Sequence, residues 1–142
     1  MTGELAELGS TIRDFLTEQA PSSRVREIME SESGLDAQTW DRLSRELGVV
    51  GLTVPEEFGG ADAGFDVAAV VLGELGRALT PVPYLSHLLA VEAILSSSDT
   101  ALHKELLPEI AAGVRIATIA VAEGTTAQAF RNHRHHRPSS SR

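Results

Sequence analysis

The chain contains no cysteine, which excludes disulfides, thiolate metal sites and a cysteine nucleophile and is compatible with a reducing cytosol. Aromatic residues make up only 4% of it, so a core must rest on Leu, Val, Ile and Ala. Lysine occurs once, at Lys104, far from the glycine-rich stretch that a P-loop lysine would have to follow. The longest uncharged run, Ala78–Val91, is too short to span a bilayer and contains Pro81 and Pro83. Glu4 and Glu7 stand where a secretory leader would carry positive charge, so no such leader is expected. These absences point to a soluble, cytoplasmic chain, and 142 residues suffice for one ordinary domain.

Acidic residues outnumber basic ones. The formal charge is −8, and residues 131–142 hold four arginines and no acid, which leaves −12 on the remainder. A body so acidic repels phosphodiester backbones, and nucleic acid is not an expected partner.

What is present is mostly helical. Leu5, Leu8, Ile12, Phe15 and Leu16 share one face of a helix over Glu4–Gln19, which Pro21 ends. Val25, Ile28 and Met29 suggest a short helix within Ser22–Gly34. Asp36 is placed to cap a helix carrying Trp40, Leu43 and Leu47 that stops at Gly48. A further helix is predicted over Asp66–Leu79 with Val67, Val70, Val71 and Leu75 inward. Its Gly73 and Gly76 suggest close packing against another helix. Tyr84–Ser96 reads as an almost wholly apolar helix, either buried or lining an apolar cavity. Asp99 caps one with Leu102, Leu106 and Leu107, interrupted at Pro108 and closed by Gly113. Arg115–Ala122, rich in β-branched residues, reads as a strand. The expectation is an all-α domain over residues 1–114, the start of a β region over 115–123, and a disordered tail over 124–142 that resembles shifted-frame translation.

Chemistry is sparse. The glycine-rich stretch Leu47–Phe65, LGVVGLTVPEEFGGADAGF, lacks the G-x-G-x-x-G spacing of a dinucleotide site, because Ala61 stands at the second glycine position. A helix C-terminus followed by turns accounts for it better, with Gly48 as a left-handed cap. Glu56 and Glu57 can be acids at a helix N-terminus or a paired acid and base. His103-Lys104-Glu105 matches half of a zinc deaminase signature whose cysteine half cannot exist here. His133, His135 and His136 offer imidazoles without a scaffold, so no metal site is expected. His87, among Leu85, Leu88 and Leu89, reads as a satisfied helix residue rather than a base.

Taken as a set, LGVVGLTVPEEFGGADAGF, ELGRALTPVPY, LLPEIAAG and IATIAVAEG closely resemble the N-terminal part of acyl-CoA dehydrogenases, especially the actinobacterial type. The likeness covers about residues 4–124, about the first third of a family chain. It implies an N-terminal helical bundle domain ending in one strand of an otherwise missing β domain. Family enzymes oxidise the Cα–Cβ bond of an acyl-CoA thioester, a glutamate base taking the α-proton while hydride passes to FAD. That glutamate belongs to a C-terminal bundle, so no catalytic residue is carried over. Ala120, Val121, Ala122 and Glu123 match the start of the flavin-contacting strand, although Ala122 stands where the family has threonine. Tyr84, Leu85, Leu88 and Leu89 match the region lining the acyl pocket, and their apolar character suits an acyl chain.

The resemblance therefore implies FAD and acyl-CoA for the intact enzyme, with neither flavin binding nor activity expected of this chain alone. Three readings follow, in this order: a truncated acyl-CoA dehydrogenase; a short subunit completing a homo- or hetero-oligomer with another acyl-CoA dehydrogenase subunit; a non-catalytic helical interaction module.

Overall fold

The computed structural model describes residues 2–120, and the expectations for Val121, Ala122, Glu123 and the tail lie outside the described residues. Among them are six α-helices: α1 Thr2–Gln19, α2 Ser22–Met29, α3 Ala37–Arg45, α4 Phe65–Arg77, α5 Tyr84–Leu95 and α6 Thr100–Ala111. Two short 3₁₀ turns, Val49–Gly51 and Glu56–Phe58, lie between α3 and α4. The all-α expectation holds. Met29, expected on the apolar face of α2, is instead exposed, while Val25 and Ile28 are buried.

Helix α1 packs along α4. Ile12 and Leu16 are fully buried against Val71 and Leu75, while Leu8 and Phe15 flank them. The close approach falls at Gly9, where a Cβ would sit 3.3 Å from Val70 Cγ1. Gly73 and Gly76, predicted to serve this purpose, face open space instead. Across the same seam Glu74 accepts from Arg13 Nε at 3.1 Å, and within α4 it accepts from Arg77 Nε at 2.7 Å. These guanidinium hydrogen bonds hold its carboxyl down at about 2.

Asp36 caps α3 as its sequence position predicts. It is buried, accepts from the Thr39 amide at 3.2 Å and hydroxyl at 3.0 Å, and pairs with Arg24 of α2 at 3.4 Å. Burial pushes its pKa up, but Arg24 and Thr39 outweigh burial and leave the carboxyl below its ordinary value. One buried acid thereby both starts α3 and anchors α2.

After α3 the chain turns at Gly48, whose φ is +64°. Nothing lies within 4 Å of the position a Cβ would take there. Gly48→Ala is therefore a clean test of backbone strain and is expected to cost roughly 1 kcal/mol in urea denaturation. A neutral result would mean that the turn relaxes to negative φ. The corner then folds onto itself: Ala63 N–H donates to Leu52 O at 2.7 Å, Asp62 N–H to Val54 O at 2.9 Å and Ala61 N–H to Gly51 O at 3.2 Å. At Gly60 a Cβ would lie 1.9 Å from Val54 O, so this turn admits no side chain. Amides committed to the corner's own carbonyls cannot cradle phosphate. The stretch is a structural corner.

Helix α6 runs through Pro108 without interruption, contrary to the sequence expectation. Proline removes one donor, and the bereft Lys104 carbonyl lies on an exposed side of the helix where water can satisfy it. Asp99 caps the start as predicted, accepting from the Ala101 and Leu102 amides. Gly113, at φ +69°, closes the end. The strand expected over Arg115–Ala122 is not formed within the described part: residues 116–120 carry no regular secondary structure. A strand exists only against a partner's ladder, and no described segment pairs with this one.

The core has two parts. Ile12, Leu16, Trp40, Leu43, Val71 and Leu75 anchor the larger, which lies between α1, α3 and α4. Val54, Val91, Leu107 and Ile110 form the smaller, between the corner, α5 and α6. Trp40 and His87 bridge the two, with ring centroids 5.0 Å apart in an edge-on arrangement.

Candidate functional site

Helix α5 presents two apolar faces with different fates. Tyr84 and Leu88, four residues apart, point inward and are 3% and 4% exposed. The Tyr84 hydroxyl donates to the Val49 carbonyl at 3.0 Å, and burial pushes its pKa up, so it is a neutral structural phenol. Leu85 and Leu89, also four apart, are 55% and 44% exposed. The four residues expected to line one pocket are thus split between core and surface.

Helical spacing extends the exposed pair to Ala93, giving an apolar stripe Leu85–Leu89–Ala93 along α5. At Ala93 the stripe meets a groove of about 370 Å³ between α5 and α6. Ile94 forms one wall, Leu102, Leu106 and Ile110 the second, and Ala117 with Ile119 the third. Its polar lining consists of Ser97, Thr118 and Arg115, the last held by Glu109 at 2.7 Å. Such a groove can take an apolar chain and offers no acid–base pair to act on it. Leu102 and Leu106 of its α6 wall were legible in the sequence, whereas Ile110, beyond the break expected at Pro108, and the whole third wall were not.

That third wall is fixed by side chains distant in sequence. Trp40 Nε1–H donates to Gly113 O at 3.0 Å and the Ser44 hydroxyl to Ala112 O at 2.6 Å. Ala117 N–H donates to His87 Nδ1 at 3.3 Å. His87 is 1% exposed, and burial depresses its pKa to about 4, against a weaker opposing pull from the Ile110 carbonyl. Its Nε2 finds no hydrogen-bond partner. The expectation of a satisfied helix histidine is met at Nδ1.

His103 contacts the Ile94 carbonyl through Nε2 at 2.8 Å and lies edge-on to Phe58. No three His, Asp or Glu side chains converge on a metal-sized space among the described residues. Nor is any described helix long and apolar enough to cross a membrane. Glu56 and Glu57 occupy the first turn of a 3₁₀ helix after Pro55.

Ala120, the one described member of the expected flavin strand, is exposed at the end of the described chain. A flavin needs hydrogen-bonding groups along its ring edge and donors for its diphosphate. The groove is apolar, its one cation is already paired, and the corner's amides are spent. Neither the groove nor the corner fits FAD.

Comparison with known proteins gives a consistent picture. Residues 2–114 match the family described as acyl-CoA dehydrogenase, N-terminal domain. The acyl-CoA dehydrogenase IpdE2 of Mycolicibacterium smegmatis is 42% identical over 119 residues, covering 84% of this chain and 37% of that one. IpdE2 of Mycobacterium tuberculosis is 36% identical over 112 residues, covering 79% and 35%. Among solved structures, a variant of the Tcur3481-Tcur3483 steroid acyl-CoA dehydrogenase superposes with a TM-score of 0.75 at 35% identity, covering 82% of this chain and 32% of that one. The ChsE4-ChsE5 complex of Mycobacterium tuberculosis shares the fold, with a TM-score of 0.76 at 24% identity over 87% of this chain and 34% of that one. The sequence spans about a third of the length of these relatives.

Proposed function

Because the chain belongs to the acyl-CoA dehydrogenase family through its N-terminal domain, we propose that it forms the acyl-contacting helical part of such an enzyme and does not catalyse alone. The family is FAD-dependent, and no residue described here takes a step in that chemistry. The observation carrying this reading is the Leu85–Leu89–Ala93 stripe leading into the α5–α6 groove. Exposed leucines in line with an apolar groove suit the hydrocarbon of an acyl-CoA thioester, while Tyr84 and Leu88 brace α5 from behind. The steroid named for the 35%-identical relative favours a bulky polycyclic acyl group.

Thermal melts test this directly. Octanoyl-CoA or a steroid-acyl-CoA should raise the Tm of the chain, and free CoA should not. Leu89→Asp should abolish the rise at little cost to unliganded stability, since Leu89 is already 44% exposed. Equal shifts with free CoA, or no shift with any thioester, would remove the acyl reading and leave a helical interaction module.

A second reading is favoured by one observation. The 35%-identical relative is a Tcur3481-Tcur3483 pair, so a short subunit completing a heteromeric acyl-CoA dehydrogenase is the alternative. Under it, acyl-dependent activity appears only when a partner subunit is supplied.

A further inference from the structure

We infer that His87 is a positioning residue: by accepting the Ala117 amide at Nδ1 it fixes segment 115–119 as the third wall of the α5–α6 groove. The inference rests on the acyl reading only for the class of ligand the groove takes.

Three observations support it. The chain leaving α6 is tied by Trp40 to Gly113, by Ser44 to Ala112, and by Glu109, whose carbonyl accepts from the Val114 and Arg115 amides. Beyond Arg115, the bond from Ala117 to His87 is the hydrogen bond to the helical body among the described residues, and Ala117 also packs against the smaller core. Yet Ala117, Thr118 and Ile119 are the residues that turn a two-helix cleft into a three-walled groove. Their placement rests on this one hydrogen bond together with the packing of Ala117 against the smaller core.

The donor sets the tautomer. An amide that donates to Nδ1 requires a lone pair there, so the ring proton sits on Nε2. That Nε2–H is buried and makes no hydrogen bond of ordinary geometry, with only a weak pull from the Ile110 carbonyl. Packing against Trp40 could be met by leucine or phenylalanine; the acceptor at Nδ1 is what ties histidine to the groove wall.

The test uses the full chain, ¹⁵N-labelled, as wild type, His87→Leu and His87→Asn. Asparagine places its amide oxygen near the position of Nδ1, whereas leucine fills space and accepts nothing. In wild type the His87 Nδ1 resonance should be that of an unprotonated ring nitrogen. Exchange of the Ala117 amide should accelerate about tenfold in His87→Leu and stay within about twofold in His87→Asn. The Leu107 amide, in the smaller core, reports global stability and normalises both. Octanoyl-CoA affinity should fall about tenfold in His87→Leu and recover in His87→Asn. Unchanged Ala117 exchange in His87→Leu, or a proton on Nδ1 in wild type, would overturn the inference. Failure of wild type to bind any acyl-CoA would overturn the acyl reading instead, with Ala117 exchange still deciding what places the wall. Should His87→Leu not fold, the wild-type tautomer and the His87→Asn exchange rate decide alone.

Discussion

Trp40→Ala is expected to lower the unfolding free energy by about 3–5 kcal/mol, the largest effect of any single side chain here. Trp40 is 4% exposed, belongs to the larger core and meets His87 edge-on at the boundary with the smaller one. Its truncation removes buried area, opens a cavity where two clusters join and strands the Gly113 carbonyl. Trp40→Phe separates these causes. It keeps most of the ring and loses the Nε1–H donor, so its cost should fall to roughly 1–3 kcal/mol. Urea denaturation of both variants is the measurement, with the m-value unchanged if each remains two-state. A loss under about 1.5 kcal/mol for Trp40→Ala would mean that the two core clusters do not depend on each other.

The second large effect is on pH dependence. His87 titrates at about 4 in the folded chain against 6.5 ordinarily, because burial disfavours the imidazolium. The unfolded chain therefore takes up a proton that the folded chain refuses. Stability should fall as pH drops from about 6.5 to about 4 and stop falling from this cause below that. At 1.36 kcal/mol per pH unit the window is worth roughly 3 kcal/mol. Glu74 acts lower: its carboxylate, held down by Arg13 and Arg77, contributes stability that is present above about 4.5 and lost as pH falls toward 2. Subtracting the pH profile of His87→Asn from that of wild type isolates the histidine. If the two profiles run parallel between pH 6.5 and 4, His87 is not held neutral by burial.

Much of this was legible in the sequence, for reasons specific to each element. Asp36 and Asp99 sit at N-cap spacing before apolar periodicity, a local signal, and both accept the amides expected of caps. Gly48 and Gly113 stand just past the ends of α3 and α6, where a left-handed residue turns the chain. The small residues of α4 misled because composition does not reveal which face of a helix a glycine occupies; the close contact uses Gly9 on the opposing helix. Pro108 misled because its cost depends on whether the orphaned carbonyl is wet, a tertiary fact. Which residues of α5 face outward was not legible. Tyr84 and Leu88 share one face and Leu85 and Leu89 another, and which of the two faces stays open depends on what packs against α5. The clasp of Trp40, Ser44 and His87 on residues 112–117 joins positions 30 to 73 apart in sequence, and no spacing rule announces it.

The claim that this chain contacts the acyl group without being a flavoenzyme itself is tested most directly by equilibrium dialysis of the purified full chain against FAD, read by flavin absorption in the protein compartment. The apolar groove, the paired Arg115 and the committed corner amides predict no flavin retained above the free concentration. Retention of FAD at one equivalent per chain would contradict the account.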